Sequence, residues 1–360
     1  MKQMMIKSAS TSYPIYLGKD LLINLDQYID PTYSSILVIT DQTVATYYLD
    51  KVIKALKQFP VNQVVIEPGE QSKSIESFYD IHTRAISFGM DRHSLIIALG
   101  GGVVGDLAGF IAATFMRGID FIQVPTTILA HDSSVGGKVA INHHLGKNLI
   151  GHFYAPKAVI YDVSTLHTLN TREIRSGYAE IIKEALIWDE AFFNDLLLTN
   201  IYQTDDQTRV NHLYHGMRIK ANVVQKDEKE QDIRRYLNLG HTLAHALEQQ
   251  LGYGQLTHGE AVAIGLLFAL YVSEDVYQNK HAYQPLLGWL KKHDYPLTIP
   301  ETNVNELIKR MKTDKKVVNR HIQMVLLKSI GQPVIKSFTD REVRDFVTLF
   351  LADLEKGIYT

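Results

Sequence analysis

SLIIALGGGVVGDLAGFIAATF, residues 94–115, joins an apolar run, a glycine turn and a helical pattern in one segment. The apolar run at residues 94–99 is typical of a strand buried on both faces. The bare amides of Gly100-Gly-Gly-Val-Val-Gly-Asp can then hold a pyrophosphate where the helix at residues 107–115 begins. Three consecutive glycines depart from the strict dinucleotide fingerprint, and a tight turn with positive φ is the alternative interpretation. The preceding strand and Asp106 after the turn favour phosphate binding.

The same alternation of strand and helix extends on both sides of this segment. Buried-strand patterns occur at residues 35–41, 63–67 and 121–125, and helical patterns at residues 44–58 and 74–88. Such regular alternation predicts a doubly wound parallel sheet. Ligands bind such sheets in a crevice at the carboxyl ends of the strands.

The pattern changes past about His152. After one short strand at residues 158–162, nearly every segment carries helical periodicity. At 360 residues the chain is also longer than one hydrophobic core usually supports. We therefore predict an α/β nucleotide-binding domain at residues 1–151 and an all-α, metal- and substrate-binding domain at residues 152–360.

The composition excludes several classes of function. A formal net charge of −2 gives no general attraction to nucleic acid or to anionic membranes. The absence of cysteine excludes sulfur-ligated zinc and disulfides, and it agrees with a reducing compartment. No signal-peptide pattern is present, and the apolar run at residues 261–272 is too short to span a bilayer. We expect a cytoplasmic protein without nucleic-acid or membrane partners.

Histidines and one carboxylate form a candidate metal site. His241 and His245 are four residues apart, so both imidazoles project from one face of a helix. His258 follows a glycine-rich turn, and another helical segment supplies Glu180 with Lys183 one turn further on. One carboxylate and two or three imidazoles suit a catalytic divalent metal, most readily zinc. An isolated histidine is more often structural, and one of the three can instead serve as an acid or base.

Basic residues mark a candidate anion site. Asp132-Ser-Ser-Val-Gly-Gly-Lys and Gly146-Lys-Asn-Leu-Ile-Gly place Lys138 and Lys147 in glycine-rich loops. A lone lysine is usually a solvated charge, but two in consecutive loops favour a phosphate or carboxylate ligand. Arg234 precedes Asn238 by one helical turn and would share its face.

Together these motifs resemble the 3-dehydroquinate synthase family, the NAD- and metal-dependent cyclases of the shikimate pathway of aromatic amino acid biosynthesis. The resemblance extends from about Asp41 to Lys316. It rests on Pro68-Gly-Glu-Gln-Ser-Lys, Gly100-Gly-Gly-Val-Val-Gly-Asp, Asp132-Ser-Ser-Val-Gly-Gly-Lys, Gly146-Lys-Asn-Leu-Ile-Gly, Ala179-Glu-Ile-Ile-Lys, Asn238-Leu-Gly-His-Thr-Leu-Ala-His and His258-Gly-Glu-Ala-Val.

The resemblance implies a carbon–oxygen lyase that converts 3-deoxy-arabino-heptulosonate 7-phosphate to 3-dehydroquinate and phosphate. The implied reaction proceeds through transient oxidation by NAD+, phosphate elimination, reduction, ring opening and an intramolecular aldol reaction. The implied cofactors are NAD+ and Zn²⁺ or Co²⁺, and the implied assembly is a homodimer.

The resemblance also implies roles for individual residues. Glu180, His241 and His258 would be the metal ligands, which leaves His245 free for catalysis, and Arg117 would reach the substrate phosphate of the partner subunit. The implied NAD site comprises Asp41, Glu70, Lys73, Gly101, Gly102, Val103, Asp106, Thr126, Thr127, Lys138, Lys147 and Thr168. The implied substrate-contacting and catalytic residues are Asp132, Lys138, Lys147, Asn148, Lys183, Lys220, Arg234, Asn238, His245 and Lys315.

Two departures from the family pattern are visible. The family usually has one more residue between the threonine pair and Asp132-Ser-Ser, and His131 has no assigned role. The spacing from His245 to His258 is also slightly longer.

Rival interpretations are a metal-dependent polyol dehydrogenase, a related sugar-phosphate cyclase such as an inosose synthase, and a non-catalytic metabolite-binding protein. The last would lack a metal ligand or a lysine, and none is missing.

Overall fold

A computed structural model describes the chain except residues 8–10, 253, 279–281, 300–302, 314–316, 319–320 and 360. The strands are β1 (Lys2–Lys7), β2 (Ser12–Gly18), β3 (Ile36–Asp41), β4 (Val61–Ile66), β5 (Leu95–Gly100), β6 (Asp120–Pro125), β7 (Lys138–His143), β8 (Gly146–Phe153), β9 (Ala158–Asp162), β10 (Val317–Val318), β11 (His321–Leu327) and β12 (Pro333–Phe338). The α-helices are α1 (Gln42–Val44), α2 (Asp50–Ala55), α3 (Ile75–Ser87), α4 (Gly102–Thr114), α5 (Ala130–Ser133), α6 (Thr171–Trp188), α7 (Glu190–Leu198), α8 (Asp206–Lys226), α9 (His241–Leu251), α10 (His258–Tyr277), α11 (Tyr283–Lys292), α12 (Val304–Thr313) and α13 (Asp340–Tyr359). Short 3₁₀-helices cover Leu21–Tyr28, Glu70–Ser72, Phe115–Arg117, Val163–Thr168 and Ile233–Asn238, and a π-helix covers Ala45–Leu49.

The chain forms two compact units. The first comprises Met1–Leu169 with Asp205–Lys229, and the second Asn170–Thr204 with Glu230–Thr360. This division differs from the boundary predicted at residue 151, because β9 and α8 belong to the first unit. Strand β9 pairs with β2 and β6, and α8 packs on β1 and β2. Helical periodicity identifies α8 as a helix but does not indicate what it packs against.

The first unit is built on a seven-stranded sheet in the order β1-β2-β9-β6-β5-β3-β4. Only β1 and β2 pair antiparallel, and the other neighbours are parallel. Alternate side chains of a strand point to opposite faces. Leu37 and Ile39 of β3 therefore pack into one hydrophobic core, whereas Ile36 and Val38 pack into the other. The doubly wound sheet predicted from the sequence is confirmed.

An antiparallel hairpin of β7 and β8 occupies the region where two glycine-rich loops were predicted. The loop prediction was wrong because Val139 and Ile141 are buried in the same core as α4. Gly109 of α4 allows this close approach, since a Cβ atom there would lie 2.4 Å from the side chain of Val139. Lys138 and Lys147 consequently lie on strands rather than in loops.

The second unit is predominantly helical, as predicted, but it also contains the antiparallel sheet β10-β11-β12. The label all-α omits this small sheet. Periodicity alone does not distinguish a short apolar run such as residues 324–327 from a buried helical segment. In the described parts of the chain, no helix combines the length and hydrophobicity that crossing a bilayer requires.

Candidate functional site

Three helices of the second unit bring Glu180, His241 and His258 together. The Oε1 atom of Glu180 lies 3.4 Å from Nε2 of His241 and 3.3 Å from Nε2 of His258. One ligand atom from each residue lies within 4.8 Å of the other two. Glu180 is only 1% exposed. Two imidazole nitrogens and one carboxylate oxygen around a common point are three of the four donors of a tetrahedral metal site.

The imidazoles are oriented by hydrogen bonds on their far sides. The Nδ1 atom of His241 donates to the carbonyl oxygen of Leu239 at 3.1 Å, and that of His258 donates to Oε2 of Glu248 at 3.3 Å. In each ring Nε2 is therefore the nitrogen that faces Glu180, and it can ligate a metal once it carries no proton. Neither oxygen of Glu180 accepts a well-aligned hydrogen bond within the described residues. This donor set fits a divalent cation, because metal-ligating histidines usually donate their other N–H to an oxygen.

The electrostatics of the cluster also favour a cation. Burial would raise the pKa of Glu180, but Lys183 and His241 outweigh it and hold that pKa well below its usual value. Burial lowers the pKa of His241 to about 4, so this imidazole is neutral at physiological pH. Burial also opposes the charged form of His258, but Glu248 and Glu180 raise its pKa to about 10. The two carboxylates therefore attract positive charge to this point.

Glycines set the separation of the helices that carry the three ligands. A Cβ atom on Gly259 would lie 1.9 Å from the carbonyl oxygen of Ser176 in α6. A Cβ atom on Gly265 of α10 would lie 2.0 Å from the carbonyl oxygen of Gly240, which precedes α9. Gly259 directly follows His258 and Gly240 directly precedes His241, so these backbone contacts constrain the geometry of the cluster.

An ion-pair cluster holds the N-terminus of α10 against α6. Oε2 of Glu260 accepts from Nε of Arg172 at 3.0 Å, and Oε1 accepts from Nε of Arg175 at 2.7 Å. Glu260 and Thr257 also form a capping box at the start of α10. His258 is the first residue of that helix, so the same contacts position its imidazole.

His245 lies beside the three predicted ligands. Its ring centroid is 5.3 Å from that of His241 and 6.0 Å from that of His258. With Glu248 and His258 it forms a second group of potential ligand atoms within 4.8 Å of one another. The structure thus places all three histidines together, one turn apart on α9 and at the start of α10.

In the first unit, the glycine turn lies at the carboxyl end of β5 and opens α4. None of Gly100, Gly101 and Gly102 has a positive φ, so the interpretation as a strained tight turn was wrong. The helix begins at Gly102 rather than at Leu107, because Gly102-Val-Val-Gly already forms its first turn. Gly101 would bring a Cβ atom within 3.2 Å of the side chain of Thr127, which indicates close packing around the turn.

Other predicted nucleotide-site residues lie on neighbouring strands. Asp41 ends β3 and caps α1 by accepting from the amide of Val44 at 3.0 Å. Thr126 and Thr127 directly follow β6. Because β6, β5 and β3 are adjacent and parallel in the sheet, these side chains and the glycine turn lie together at the carboxyl ends of the strands. Thr168 is hydrogen-bonded to the hydroxyl of Tyr48 at 2.7 Å.

Lys73 is the centre of a buried network beside the glycine turn. Its ammonium lies 2.6 Å from Oδ2 of Asp106 and 3.8 Å from Oε1 of Glu70. Burial would lower the pKa of Lys73, but the two carboxylates outweigh it and raise that pKa. Val103 follows Gly102 in the first turn of α4. The network therefore joins Pro68-Gly-Glu-Gln-Ser-Lys to the helix that opens at the turn.

Several predicted substrate residues also lie in the first unit. Lys220 of α8 pairs with Oδ2 of Asp132 at 2.7 Å. Lys138 begins β7, and Lys147 and Asn148 lie at the start of β8. Arg117 follows α4 in the left-handed region of backbone conformation, with φ 73.

The remaining predicted substrate residues lie in the second unit. Arg234 is buried in the 3₁₀-helix Ile233–Asn238. Such a helix has three residues per turn, so the prediction that Arg234 and Asn238 share a helical face was wrong. The Nδ2 atom of Asn238 donates to Oε1 of Glu230 at 2.9 Å. Lys183 is buried and pairs with Glu180. Lys315 lies outside the described residues.

Comparisons with known proteins agree with this arrangement. The family model described as the 3-dehydroquinate synthase N-terminal domain matches residues 63–176, and that of the C-terminal domain matches residues 177–317. The chain belongs to the 3-dehydroquinate synthase family. A 3-dehydroquinate synthase of Oceanobacillus iheyensis is 52% identical over 99% of this chain and 100% of the relative. One of Bacillus pumilus is 49% identical over 96% of this chain and 97% of the relative.

Solved structures show the same fold. A 2-deoxy-scyllo-inosose synthase complexed with carbaglucose-6-phosphate, NAD+ and Co²⁺ has a TM-score of 0.88 and 26% identity, covering 96% of this chain and 99% of that one. The 2-epi-5-epi-valiolone synthase of Streptomyces hygroscopicus subsp. jinggangensis 5008 has a TM-score of 0.85 and 24% identity, covering 95% and 98%. At that identity the second likeness concerns the fold alone.

Sequence reasoning missed residues that support the site rather than form it. Glu248 lies three residues after His245 on α9, a spacing that places a carboxylate on the face of the histidines. That spacing could have identified Glu248 from the sequence. No sequence pattern indicates the pairing of Glu260 with Arg172 and Arg175, because the sequence does not show which helices touch. His131, in the segment that is one residue shorter than the usual family pattern, is fully buried, and its Nδ1 donates to the carbonyl oxygen of Ile128 at 2.6 Å.

Proposed function

We propose that this chain is a metal- and NAD-dependent 3-dehydroquinate synthase, a carbon–oxygen lyase of the cytoplasm. It would convert 3-deoxy-arabino-heptulosonate 7-phosphate to 3-dehydroquinate and phosphate. The cluster of Glu180, His241 and His258 in a chain of this family is the observation that carries the proposal. The absence of cysteine supports the compartment.

Glu180, His241 and His258 would hold the metal, for which we propose Zn²⁺, with Co²⁺ as the alternative. Imidazole and carboxylate donors suit either ion, and the similar inosose synthase was solved with Co²⁺. When bound, the metal supplies Lewis acidity toward a substrate hydroxyl, and NAD+ supplies a reversible hydride acceptor. Lys183 keeps the ligand carboxylate ionised through their ion pair. His245 would hold or release a proton at its imidazole beside the ligand set.

The carboxyl ends of β3, β5 and β6 would form the binding site for NAD+. The N-terminus of α4 offers unpaired backbone amides and a positive dipole end to a pyrophosphate. Glu70, Lys73 and Asp106 form the network at its side. The residues at the strand ends that would complete this site are Asp41, Gly101, Gly102, Val103, Thr126 and Thr127, with Thr168 contributing from the 3₁₀-helix Val163–Thr168.

Basic side chains would bind the two anionic groups of the substrate. A guanidinium can form two parallel hydrogen bonds with a carboxylate, which suits Arg234 with Lys315 for the substrate carboxylate. The ammonium groups of Lys138 and Lys183 would bind the substrate phosphate, and Lys138 and Lys147 would also contact the cofactor. The remaining substrate contacts in this proposal are Asp132, Lys147, Asn148, Lys220 and Asn238.

We also propose a homodimer in which Arg117 reaches the substrate phosphate of the partner subunit. Arg117 and the preceding residue, Met116, have φ of 73 and 49, a left-handed conformation that costs about 1 kcal/mol per residue. Strained residues of this kind cluster at functional sites. Leu149 and Phe153 are exposed on β8 of the same unit, and exposed apolar side chains support an interface with a second copy.

One assay separates the proposed enzyme from its rivals. Heptulosonate phosphate is incubated with the metal-loaded protein and a trace of NAD+, and released phosphate and NADH absorbance are followed together. Phosphate should be released in large excess over NAD+, without net accumulation of NADH. Accumulation of NADH without phosphate would indicate a polyol dehydrogenase, and binding without turnover would indicate a non-catalytic protein.

A further inference from the structure

Asn142, a residue near the end of β7, connects a segment that the proposed function assigns to the cofactor with one whose Asn148 it assigns to the substrate. Its backbone amide donates to the carbonyl oxygen of Lys73 at 2.7 Å. Its side-chain Nδ2 donates to Oε1 of Glu70 at 2.7 Å. On the other side, its Oδ1 accepts from the backbone amide of Asn148 at 3.0 Å. One side chain thus contacts the cofactor loop and the strand that carries Lys147.

The hairpin is irregular at this residue. Ile141 pairs with Ile150, whereas His143 pairs with Gly146, so residues 147–149 of β8 face Asn142 alone. Such a bulge takes residues out of the regular ladder and redirects their side chains. Asn148 has a φ of 56, a left-handed conformation that asparagine tolerates better than most residues. The hydrogen bond from Asn148 to Asn142 therefore holds the shape of the bulge that presents Lys147.

Only an amide side chain can make both contacts. The carboxylate of Glu70 can only accept, so it requires the Nδ2 group, and the backbone amide of Asn148 can only donate, so it requires Oδ1. Aspartate would keep the contact to Asn148 but would place two carboxylates at the 2.7 Å contact with Glu70. Alanine would remove both contacts. The residue therefore links the two segments through a specific donor and acceptor and not through its volume.

We propose that Asn142 is a positioning residue that couples the cofactor loop to the substrate-binding bulge, so that NAD+ and substrate strengthen each other's binding. The inference rests on the proposed function, which places Glu70 and Lys73 at the cofactor, Asn148 at the substrate, and Lys147 at both. NAD+ that orders Glu70 also orders Asn142 and, through it, the bulge at residues 147–149. By linkage, substrate bound at the bulge raises the affinity for NAD+ by the same factor.

Calorimetry of NAD+ binding tests the coupling on the full-length, metal-loaded protein. The probe is a phosphonate analogue of the substrate, in which a methylene group replaces the ester oxygen so that phosphate cannot leave. For the unchanged protein we expect the analogue to tighten NAD+ binding at least about 5-fold, the lower end of common couplings. The measured quantity is the ratio of the NAD+ dissociation constants without and with the analogue. In Asn142→Ala and Asn142→Asp this ratio should fall close to one. Leu145→Ala, an exposed residue of the same hairpin, should keep the ratio and serves as the control.

Three results would overturn the inference: a ratio of one in the unchanged protein, an unaltered ratio in both Asn142 variants, or an equal loss in Leu145→Ala. A protein that binds no NAD+ at all would instead contradict the proposed function. A second measurement needs no variant. Saturating NAD+ alone should slow hydrogen exchange at the backbone amide of Asn148, and unchanged exchange there would also overturn the coupling.

Discussion

The contact of Gly259 with α6 makes a quantitative prediction about the metal site. In Gly259→Ala the new Cβ atom would start 1.9 Å from the carbonyl oxygen of Ser176, whereas real Cβ contacts are essentially never shorter than 3.0 Å. Because the obstacle is backbone, α10 must move away from α6 by roughly 1 Å, and overpacking of this kind costs about 1–3 kcal/mol. His258 moves with the helix. Metal–ligand distances tolerate only about 0.2 Å, so we expect a loss of metal affinity of about 10- to 100-fold.

Competition with a chromophoric chelator measures that affinity for Zn²⁺ and Co²⁺, and urea unfolding of the same samples measures stability. Gly288→Ala is the matched control, because it lies in α11 of the same unit and a Cβ atom added there would meet nothing within 4 Å. Alanine there should stabilise the helix by up to about 1 kcal/mol and leave the metal affinity unchanged. If Gly259→Ala bound Co²⁺ as tightly as the unchanged protein, the backbone contact would not set the ligand geometry.

Three further predictions concern single side chains. His258→Ala should lose metal and activity together, whereas His245→Ala should keep the metal and lose about 100-fold or more in kcat. Metal analysis of each variant together with its kinetics tests this prediction. Metal retained in His258→Ala would refute the ligand assignment. Burial lowers the pKa of His293, whose Nδ1 donates to the carbonyl oxygen of Trp289, so the unfolded chain binds the proton more tightly. Stability should therefore fall as the pH drops below about 6.5, the ordinary histidine pKa, and urea unfolding of His293→Gln should show a weaker dependence. Arg117→Ala mixed with His245→Ala should recover activity through hybrid dimers, and no recovery would contradict the exchange of Arg117 between subunits.

The sequence predicts the α/β sheet well because its signals are local. The apolar runs of β3, β5 and β6 are buried on both faces, and periodicity reports that burial directly. The sequence indicates less clearly which elements pack against one another. The hairpin of β7 and β8 contains glycine and polar residues that are typical of loops, yet Val139 and Ile141 of β7 pack in the same core as α4.

The candidate site likewise contains some residues that the sequence identifies and others that it does not. The histidines of α9 are readable from the sequence, since His241 and His245, four residues apart, must share a helical face. The supporting contacts join residues far apart in the chain, such as Arg172 with Glu260. No local pattern encodes such a pair. Asn142 is similar, because its role depends on the irregular register of the hairpin rather than on its neighbours in sequence.

The charges around the proposed ligands are compatible with a buried carboxylate that would bind the metal beside an anionic substrate. Glu180 and Glu248 contribute two negative charges, and Lys183 contributes one positive charge through its ion pair with Glu180. A buried carboxylate without such a partner would gain a proton instead of remaining ionised. Because Lys183 compensates one carboxylate, a divalent ion at this point retains net positive charge. That charge is what a phosphorylated sugar acid requires from the site, and a cluster of carboxylates without the lysine would repel it.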